Sequence, residues 1–339
     1  MLRREDVFEE VSGYAKPPLP PLPSLDDLED LERHGFVTMT PAARRVLRLA
    51  LRAAGYEAFH ASLPSEVEEL LRRTNMREGR LFGPAYSATV ALADDPRALP
   101  ALERAATLVV AASELARDVL TGALPQDELK GQPLEMGQYP NLFGTSLRVV
   151  DGRGRLAKTT RHDRVAVMVR GRIFTLHVGE PGEATVPRIL EALRAIVARA
   201  ERWPRLREDE GVGILSAGDA KTLKAALAKL EGDATSARAL EALRECFVVL
   251  CLDLEGSPRT AADAALSTQA ANPANRWYLA SLQLVVFGNG KAGGICSFPA
   301  YLDGNVMMRA AAELQRRAAR ASLEAPPGPP LPVATALGF

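Results

Sequence analysis

The most restrictive feature of this sequence is a short apolar run at residues 282–287 that stops at a glycine-containing turn. The run is LQLVVF, and Gly288-Asn289-Gly290 follows it directly. A short apolar run that ends in such a turn is typical of a buried β-strand. We expect a second strand to follow through Gly293 to Cys296, so this stretch supplies two neighbouring strands of a sheet core.

A helix is predicted after this strand pair, with a loop between them. Apolar residues recur at helical spacing within residues 305–319, namely Val306, Met307, Ala310, Leu314 and Ala318. Residues 297–304 therefore form a strand-to-helix loop, a position at which many folds carry active sites. The candidate site residues in and beside this loop are Cys296, Ser297, Phe298, Pro299, Tyr301 and Asp303.

Helices are predicted at several other places from capping residues and apolar spacing. They begin at Thr40-Pro41, at the capping box Ser65-x-x-Glu68, at Asp95-Pro96 and at Thr185-Val186-Pro187. The helix from Asp95-Pro96 is expected to run to Gly122 and to be largely buried.

Further strands are predicted from alternating or continuous apolar residues. Residues 165–170 and 172–178 form a predicted hairpin around Gly171, and residues 212–219 and 246–254 form two more strands. Asp219 is a predicted helix N-cap, and Asp253 a predicted cap or turn residue. Helices and strands mixed with an antiparallel hairpin indicate an α/β fold with a mixed sheet.

Composition excludes several classes of protein. The chain of 339 residues carries 42 Lys+Arg and 42 Asp+Glu, and this balance argues against a nucleic-acid binder, which would show a basic excess. Its 3 cysteines, Cys246, Cys251 and Cys296, predict neither a disulfide scaffold nor a metal site. No apolar run approaches the roughly 20 residues that span a bilayer, and no signal peptide is recognisable, so we expect a cytoplasmic protein.

Two segments carry a specific combination of residues. The first has Asn275-Arg276-Trp277-Tyr278, then Ser281-Leu282-Gln283, Gly290, Gly293 and Asp303-Gly304. The second has, in order, Gly131, Pro133, Leu134, Met136, Gln138, Tyr139, Phe143, Thr145, Ser146 and Arg148. These residues resemble the choline/carnitine acyltransferases, and the resemblance extends over roughly residues 16–320. Leu279-Ala280 stand where the family has Asp-Lys, and Val150-Asp151 where it has Pro-Gly.

The resemblance implies a fold and a reaction. The fold is the two-layer sandwich of chloramphenicol acetyltransferase, with a mixed sheet and flanking helices. The reaction is acyl transfer between a CoA or carrier thioester and a hydroxyl acceptor, with acyl-CoA as a co-substrate and no covalently bound cofactor. The substrate-cleft candidates are Gln138, Tyr139, Thr145, Ser146 and Arg148, while CoA-binding residues stay unassigned.

We expect three regions along the chain. Residues 1–85 form a Pro-rich segment, which contains the extended stretch KPPLPPLP, and a helical lead-in. Residues 86–322 form the acyltransferase-like lobe. Residues 323–339 form a Pro-rich tail that is predicted to be disordered or loosely docked.

Family members have two such lobes, and the sequence resembles the first. In the family the thioester cofactor and most contacts to carnitine or choline come from the second lobe. Asp303 corresponds to a carboxylate that pairs with an arginine of that second lobe; the alternative is that Asp303 caps the helix that follows it. A second acyltransferase lobe or another protein is therefore an expected partner.

The family's general-base histidine is missing from the loop. Counting from Trp277 places Phe298 at its position, and counting back from Asp303-Gly304 places Pro299 there. Neither side chain can accept a proton, and the loss of a general base costs on the order of a hundred- to ten-thousand-fold in rate. The four histidines, His34, His60, His162 and His177, are predicted surface or helix-end residues, with His177 the one to check.

Three hypotheses follow for the function. The chain is half of a split acyltransferase, or a pseudoenzyme kept as a binding or regulatory module, or an acyltransferase of altered mechanism that uses Cys296, Ser297 or Tyr301. A nucleophilic Cys296 needs a lowered thiol pKa, and no histidine adjoins it in sequence, which favours a buried apolar role.

Overall fold

The computed structural model describes Thr40 and most of the chain from Ser87 onwards. The described ranges are 87–134, 136–150, 153–204, 206–207, 210–297, 302, 304–324, 330–332 and 334–339. The helices predicted from Thr40-Pro41 and Ser65 lie outside them, apart from Thr40 itself. Phe298, Pro299, Tyr301 and Asp303 of the loop also lie outside.

A mixed β-sheet forms the centre of the described region. The strands are β1 (Ala88–Leu92), β2 (Glu128–Leu129), β3 (Gln132–Pro133), β4 (Thr145–Val150), β5 (Arg153–Lys158), β6 (Arg164–Val169), β7 (Arg172–His177), β8 (Val248–Asp253), β9 (Leu282–Phe287), β10 (Ala292–Cys296) and β11 (Thr335–Ala336). Seven of them form one sheet in the order β1-β10-β9-β8-β6-β7-β11. Strands β6, β8 and β9 run parallel, and the other neighbours are antiparallel.

Helices cover both faces of this sheet. They are α1 (Ala101–Leu120), α2 (Val186–Glu201), α3 (Ala220–Gly232), α4 (Ala234–Arg244), α5 (Ala261–Ala270) and α6 (Gly304–Arg320). Because strand side chains alternate between faces, Val165 and Val167 of β6 pack with α1, α2 and α6, while Ala166 and Met168 pack with α3, α4 and α5. Among the described helices, none is long and apolar enough to cross a membrane.

The predicted fold class, α/β with a mixed sheet and flanking helices, is confirmed. Two layers were expected, and the helices on the second face add a third. The reason is that the central strands carry apolar residues on both faces, so that both faces have to be covered. Strands β8, β9 and β10, helix α6 and the β6–β7 hairpin lie where the sequence predicts them. At the turn of the hairpin, Arg170 and Gly171 have φ of 54° and 75°.

Two predicted elements are wrong in detail. Helix α1 begins at Ala101, not at Asp95-Pro96. The Asp95 carboxylate instead forms ion pairs with Arg97 and Arg104, and its hydrogen bond from Arg97 holds the pKa of Asp95 below its usual range.

Residues 212–219 do not form a strand. A 3₁₀ helix spans Val212–Ala217, and a Cβ at Gly213 would lie 2.4 Å from the carbonyl oxygen of Ala274. The segment packs closely against the backbone at Ala274, and local sequence patterns do not reveal such a contact between distant parts of the chain. The predicted N-cap at Asp219 is confirmed, because its side chain accepts the backbone N–H of Thr222 at 2.9 Å.

The Pro-rich tail returns to the sheet near its end. Thr335–Ala336 pairs antiparallel with β7, and the Leu337 N–H donates to Ile173 O at 2.9 Å. The sequence left disorder and loose docking open for this tail, and these residues dock as a short edge strand.

A buried ion pair fixes the segment that leads into β9. Arg276 is fully buried and donates from Nη2 to Asp253 Oδ2 at 2.7 Å. Its Nε donates to Thr268 O at 3.0 Å, near the C-terminal end of α5. Asn275 Nδ2 donates to Asp253 Oδ1 at 2.9 Å and to Leu252 O at 3.2 Å. Asp253, predicted as a cap or turn residue, is therefore the counter-ion that joins β8 and α5 to residues 275–276.

Removal of the Asp253 charge tests this network. Burial lowers the pKa of Arg276 and the Asp253 carboxylate raises it, with a net rise, so Arg276 stays charged. In Asp253→Asn this buried charge loses its counter-ion, and we expect a loss of about 3–5 kcal/mol in the free energy of unfolding, measured in urea.

Asp94→Asn is the matched control for this change. It breaks the Lys291–Asp94 pair, in which the Asp94 side chain is 67% exposed, and should cost no more than about 1 kcal/mol. Equal losses in the two variants would contradict a structural role for the buried pair.

Candidate functional site

Strand β10 ends at the loop in which the sequence places the candidate chemistry. Cys296, its last residue, packs in the core cluster beneath α1 and α6 and is 4% exposed. Burial raises the pKa of the Cys296 thiol to about 12. The thiol is therefore fully protonated near neutral pH, and a thiol is a far weaker nucleophile than a thiolate. The site thus favours the apolar interpretation of Cys296.

Three hydroxyl residues lie side by side at the level where β10 ends. Ser297 N–H donates to Ser281 O at 2.8 Å, and Ser281 N–H donates to Thr145 O at 2.9 Å. These two contacts extend the antiparallel pairings of Cys296 with Leu282 and of Ser146 with Ala280 by one residue each. We call Thr145, Ser281 and Ser297 the hydroxyl row.

Strand β4 makes the hydroxyl row by entering between the ends of two sheet strands. Gly144 N–H donates to Phe247 O, just before β8, while Thr145 O accepts from Ser281, just before β9. Gly144 has φ of 68°, and a Cβ there would lie 2.5 Å from Thr159 Cγ2. The glycine therefore permits the turn that brings Thr145 beside Ser281.

Members of the row share one face of the extended ladder. Residues directly opposite each other in antiparallel pairs have Cβ atoms about 4.5–5.5 Å apart. By strand alternation, Thr145 lies on the face of Leu147, and Ser297 on the face of Ile295. Leu147 and Ile295 belong to the same core cluster, so the hydroxyl row borders that cluster.

Among the described residues, two of the three hydroxyls have no hydrogen-bond partner. Ser281 Oγ donates to Leu142 O at 2.8 Å. Thr145 Oγ1 and Ser297 Oγ make no hydrogen bond to any residue that the structure describes, although Thr145 is only 5% and Ser297 0% exposed. Asn141 Nδ2, one residue before Leu142, is buried and likewise has no partner in the described part of the chain. Each such group costs about 1–3 kcal/mol, so their presence in one region requires an explanation.

The remaining cleft candidates lie elsewhere or have structural partners. Tyr139 is buried, and its hydroxyl donates to Asp127, which also pairs with Arg309 of α6 at 2.7 Å. Gln138 precedes Tyr139, and its carbonyl accepts the Asn141 N–H at 3.0 Å. Arg148 binds Glu241 of α4 through two hydrogen bonds at the surface, and Ser146 lies in β4 opposite Ala280. The structure thus places Thr145 and Ser297 on either side of Ser281 and leaves Arg148 apart.

His177 is not near the loop. Its Nε2 lies 2.8 Å from Asp163 Oδ2, and it ends β7, which is separated from β10 by β9, β8 and β6. Four strand spacings amount to roughly 19 Å. His162 lies against Phe247, with ring centroids 6.5 Å apart, and His34 and His60 lie outside the described residues.

Sequence reasoning missed Ser281 and Asn141 as site residues. Ser281 matches the family pattern and directly precedes the apolar run of β9, while Ser297 directly follows β10. A small polar residue at each of these two strand ends was the available signal, because paired antiparallel strands bring such ends together. Within the described ranges, no group of three or more His, Cys, Asp or Glu is placed to hold a metal ion.

Comparison with known proteins gives a family match and several relatives. A model of the Choline/Carnitine o-acyltransferase family matches residues 80–337. The mitochondrial carnitine O-acetyltransferase of Saccharomyces cerevisiae is 26% identical over 181 residues, which cover 50% of this chain and 26% of that protein. The choline O-acetyltransferase of Homo sapiens is 28% identical over 217 residues, which cover 58% and 27%.

Two further proteins are similar to this chain, and the match covers different shares of their lengths. The highly reducing polyketide synthase AFT9-1 of Alternaria alternata is 30% identical over 210 residues, 60% of this chain and 6% of that protein. A solved chloramphenicol acetyltransferase covers 73% of this chain and 94% of its own, with a TM-score of 0.32 and 11% identity. This chain therefore matches about a quarter of the two acetyltransferases and a much smaller share of the synthase.

The family match includes every strand of the central sheet and all three residues of the hydroxyl row. Because it extends over residues 80–337 of a chain of 339, the protein belongs to the choline/carnitine O-acyltransferase family.

Proposed function

We propose that this protein takes part in acyl transfer between a CoA or carrier thioester and a hydroxyl acceptor, as one half of a split enzyme. Family membership supports the reaction class. The observation that supports a split site is the loop after β10, which has Phe298 and Pro299 where the family has its general base. A second acyltransferase lobe, on a partner chain, would complete the site.

The reaction requires a proton acceptor. The acceptor oxygen forms a bond to the acyl carbon, the carbon–sulfur bond breaks, and the hydroxyl proton has to leave while the thiolate gains one. Cys296 is a poor base for this step because its thiol is buried and protonated, and His177 lies four strands away. In the split enzyme that we propose, the base comes from the partner lobe or from the substrate itself.

A second candidate is a binding or regulatory module without catalysis. The same two observations favour it: Cys296 is a core residue, and neither Phe298 nor Pro299 can titrate. In this role the protein would bind an acyl thioester or a regulatory partner and leave the thioester intact. The altered-mechanism hypothesis has less support, since no described residue forms a hydrogen bond that could activate Ser297 Oγ, and Tyr301 lies outside the described residues.

Thioester turnover separates these candidates. The full chain is assayed alone and with any co-purifying protein, using acetyl-CoA and longer acyl-CoA with carnitine or choline, and following release of free thiol. We expect turnover only in the presence of the partner, because the loop after β10 lacks the family's histidine. Turnover by the chain alone would contradict the split enzyme, and binding without turnover under every condition would favour the binding module.

Thiol labelling tests the interpretation of Cys296. All three cysteines are buried and free, so we expect a thiol reagent at pH 7 to label none of them rapidly in the folded protein and all three in denaturant. Because the Cys296 pKa is raised to about 12, the thiolate fraction should keep rising tenfold per pH unit above pH 9.

Mass spectrometry identifies the labelled residue, and Cys246 and Cys251 serve as internal controls. Selective labelling of Cys296 in the folded state at pH 7 would restore the altered-mechanism hypothesis.

A further inference from the structure

A cavity lined by arginines lies where the end of α6 meets the start of α2, with α1 as its third wall. Its volume is about 250 Å³, far more than the roughly 10–15 Å³ that one water molecule needs. The polar residues that line it are Glu114, Thr185, Arg316, Arg317, Arg320 and Ser322. The cavity is therefore large enough for a small ligand and has mainly hydrogen-bond donors in its polar lining.

The ion pairs along α1 and α6 leave one arginine of this cavity without a partner. Arg317 is buried and donates to Asp118 at 2.8 Å and to Glu313 at 3.2 Å. Arg320 is exposed and forms no ion pair with any residue that the structure describes. The other arginines of this network have matching carboxylates: Arg117, Arg309, Arg316 and Arg317 pair with Glu114, Asp118, Asp127 and Glu313. The positive charge of Arg320 is therefore unbalanced.

On the opposite wall, Thr185 has a hydroxyl without a described partner. Thr185 is the N-cap of α2, where a threonine usually accepts a backbone N–H of the first turn, but its side chain makes no such bond. Pro187, the second residue of the helix, has no N–H to donate. Thr185 Oγ1 is buried and bonds to no residue in the described ranges. The first N–H groups of α2 have no acceptor within the helix either.

Solvent is the simplest alternative occupant. Arginines in the last turn of a helix are common because they complement its negative end, and water can satisfy a hydroxyl in a polar cavity. Two observations together favour an anion. An unbalanced guanidinium and an unpaired hydroxyl face one cavity from two different elements, and the positive end of the α2 dipole lies at the same place.

We propose that this cavity binds a phosphate group, either as free phosphate or as part of a phosphate ester. Arg320 pairs with it from α6, while Thr185 and the first N–H groups of α2 donate to it from the other side. Arg316 is the next cation of the lining. A phosphate suits these two walls better than a carboxylate because it has three or more acceptor oxygens that point in different directions.

The site lies far from the loop after β10. Helix α6 begins at Gly304, directly after that loop, and its 17 residues span roughly 25 Å. Because Arg320 is the last residue of the helix, the loop and the cavity lie at opposite ends of α6. The inference therefore does not depend on the proposed acyl transfer.

Calorimetric titration of the full chain tests this site. The probes are inorganic phosphate, glycerol 3-phosphate and acetate, each at an ionic strength held constant with chloride, since salt screens exposed charges. The variants are Arg320→Gln, which removes the unbalanced charge, and Thr185→Val, which removes the hydroxyl and keeps the side-chain shape. Arg202→Gln is the matched control, because it removes the same charge at the C-cap of α2.

We expect one phosphate to bind per chain. Arg320→Gln should weaken binding about 10-fold, because a charge-assisted hydrogen bond is lost, and Thr185→Val about 3-fold, because a neutral one is lost. Arg202→Gln should leave the affinity unchanged. If glycerol 3-phosphate binds more tightly than inorganic phosphate, the ligand is a phosphate ester, and the reverse order identifies free phosphate.

Three results would overturn the proposal. Neither phosphate probe binds saturably, or acetate binds as tightly as inorganic phosphate, or Arg320→Gln and Arg202→Gln weaken binding equally. The last result would show that only the net charge of the protein matters, and not the position of Arg320.

Discussion

The buried pair of Arg276 and Asp253 is the interaction on which the rest of this fold depends. A charged guanidinium with no exposure to solvent persists only if a counter-ion and further acceptors surround it. Asp253 supplies the counter-ion from the end of β8, and the carbonyl oxygens of Ser267 and Thr268 in α5 and of Asn275 accept further hydrogen bonds. Strand, helix and the chain entering β9 are thereby joined at one point, and this arrangement sets the position of Ser281.

Near the start of β9, a further strand interrupts the central sheet. Strand β4 enters between the starts of β8 and β9, and its Thr145 lies beside Ser281. At this level hydroxyl residues from three segments replace apolar ones, and two of these hydroxyls have no hydrogen-bond partner among the described residues. The polar character of the site therefore results from the same topology that builds the core.

Local sequence patterns correctly predicted the strands, turn and helix whose formation depends on neighbouring residues. The apolar runs of β8 and β9, the turn at Gly171 and the periodicity of α6 each lie within a few neighbouring residues, and each is found where expected. Helix α1 began later than predicted because Asp95 is used by Arg104, a contact with the helix interior. The strand predicted at 212–219 failed because Gly213 packs against the backbone of Ala274.

The candidate site was predictable only in part. Ser297 and Thr145 were identified from the loop and from the family pattern, but their proximity requires the register of three separate segments. The role of Asp253 as counter-ion and the separation of Arg148 by its bond to Glu241 are likewise set by tertiary contacts. The absence of the family's histidine could be recognised from sequence alone, because it requires only the identity of the residue at one position of the loop.

Native-state hydrogen exchange of the wild type and of Asp253→Asn would test the central claim, that the buried Arg276–Asp253 pair joins β8, α5 and the chain entering β9. Amide protection in these three segments should fall together in Asp253→Asn. A loss of protection confined to one of them would contradict the account.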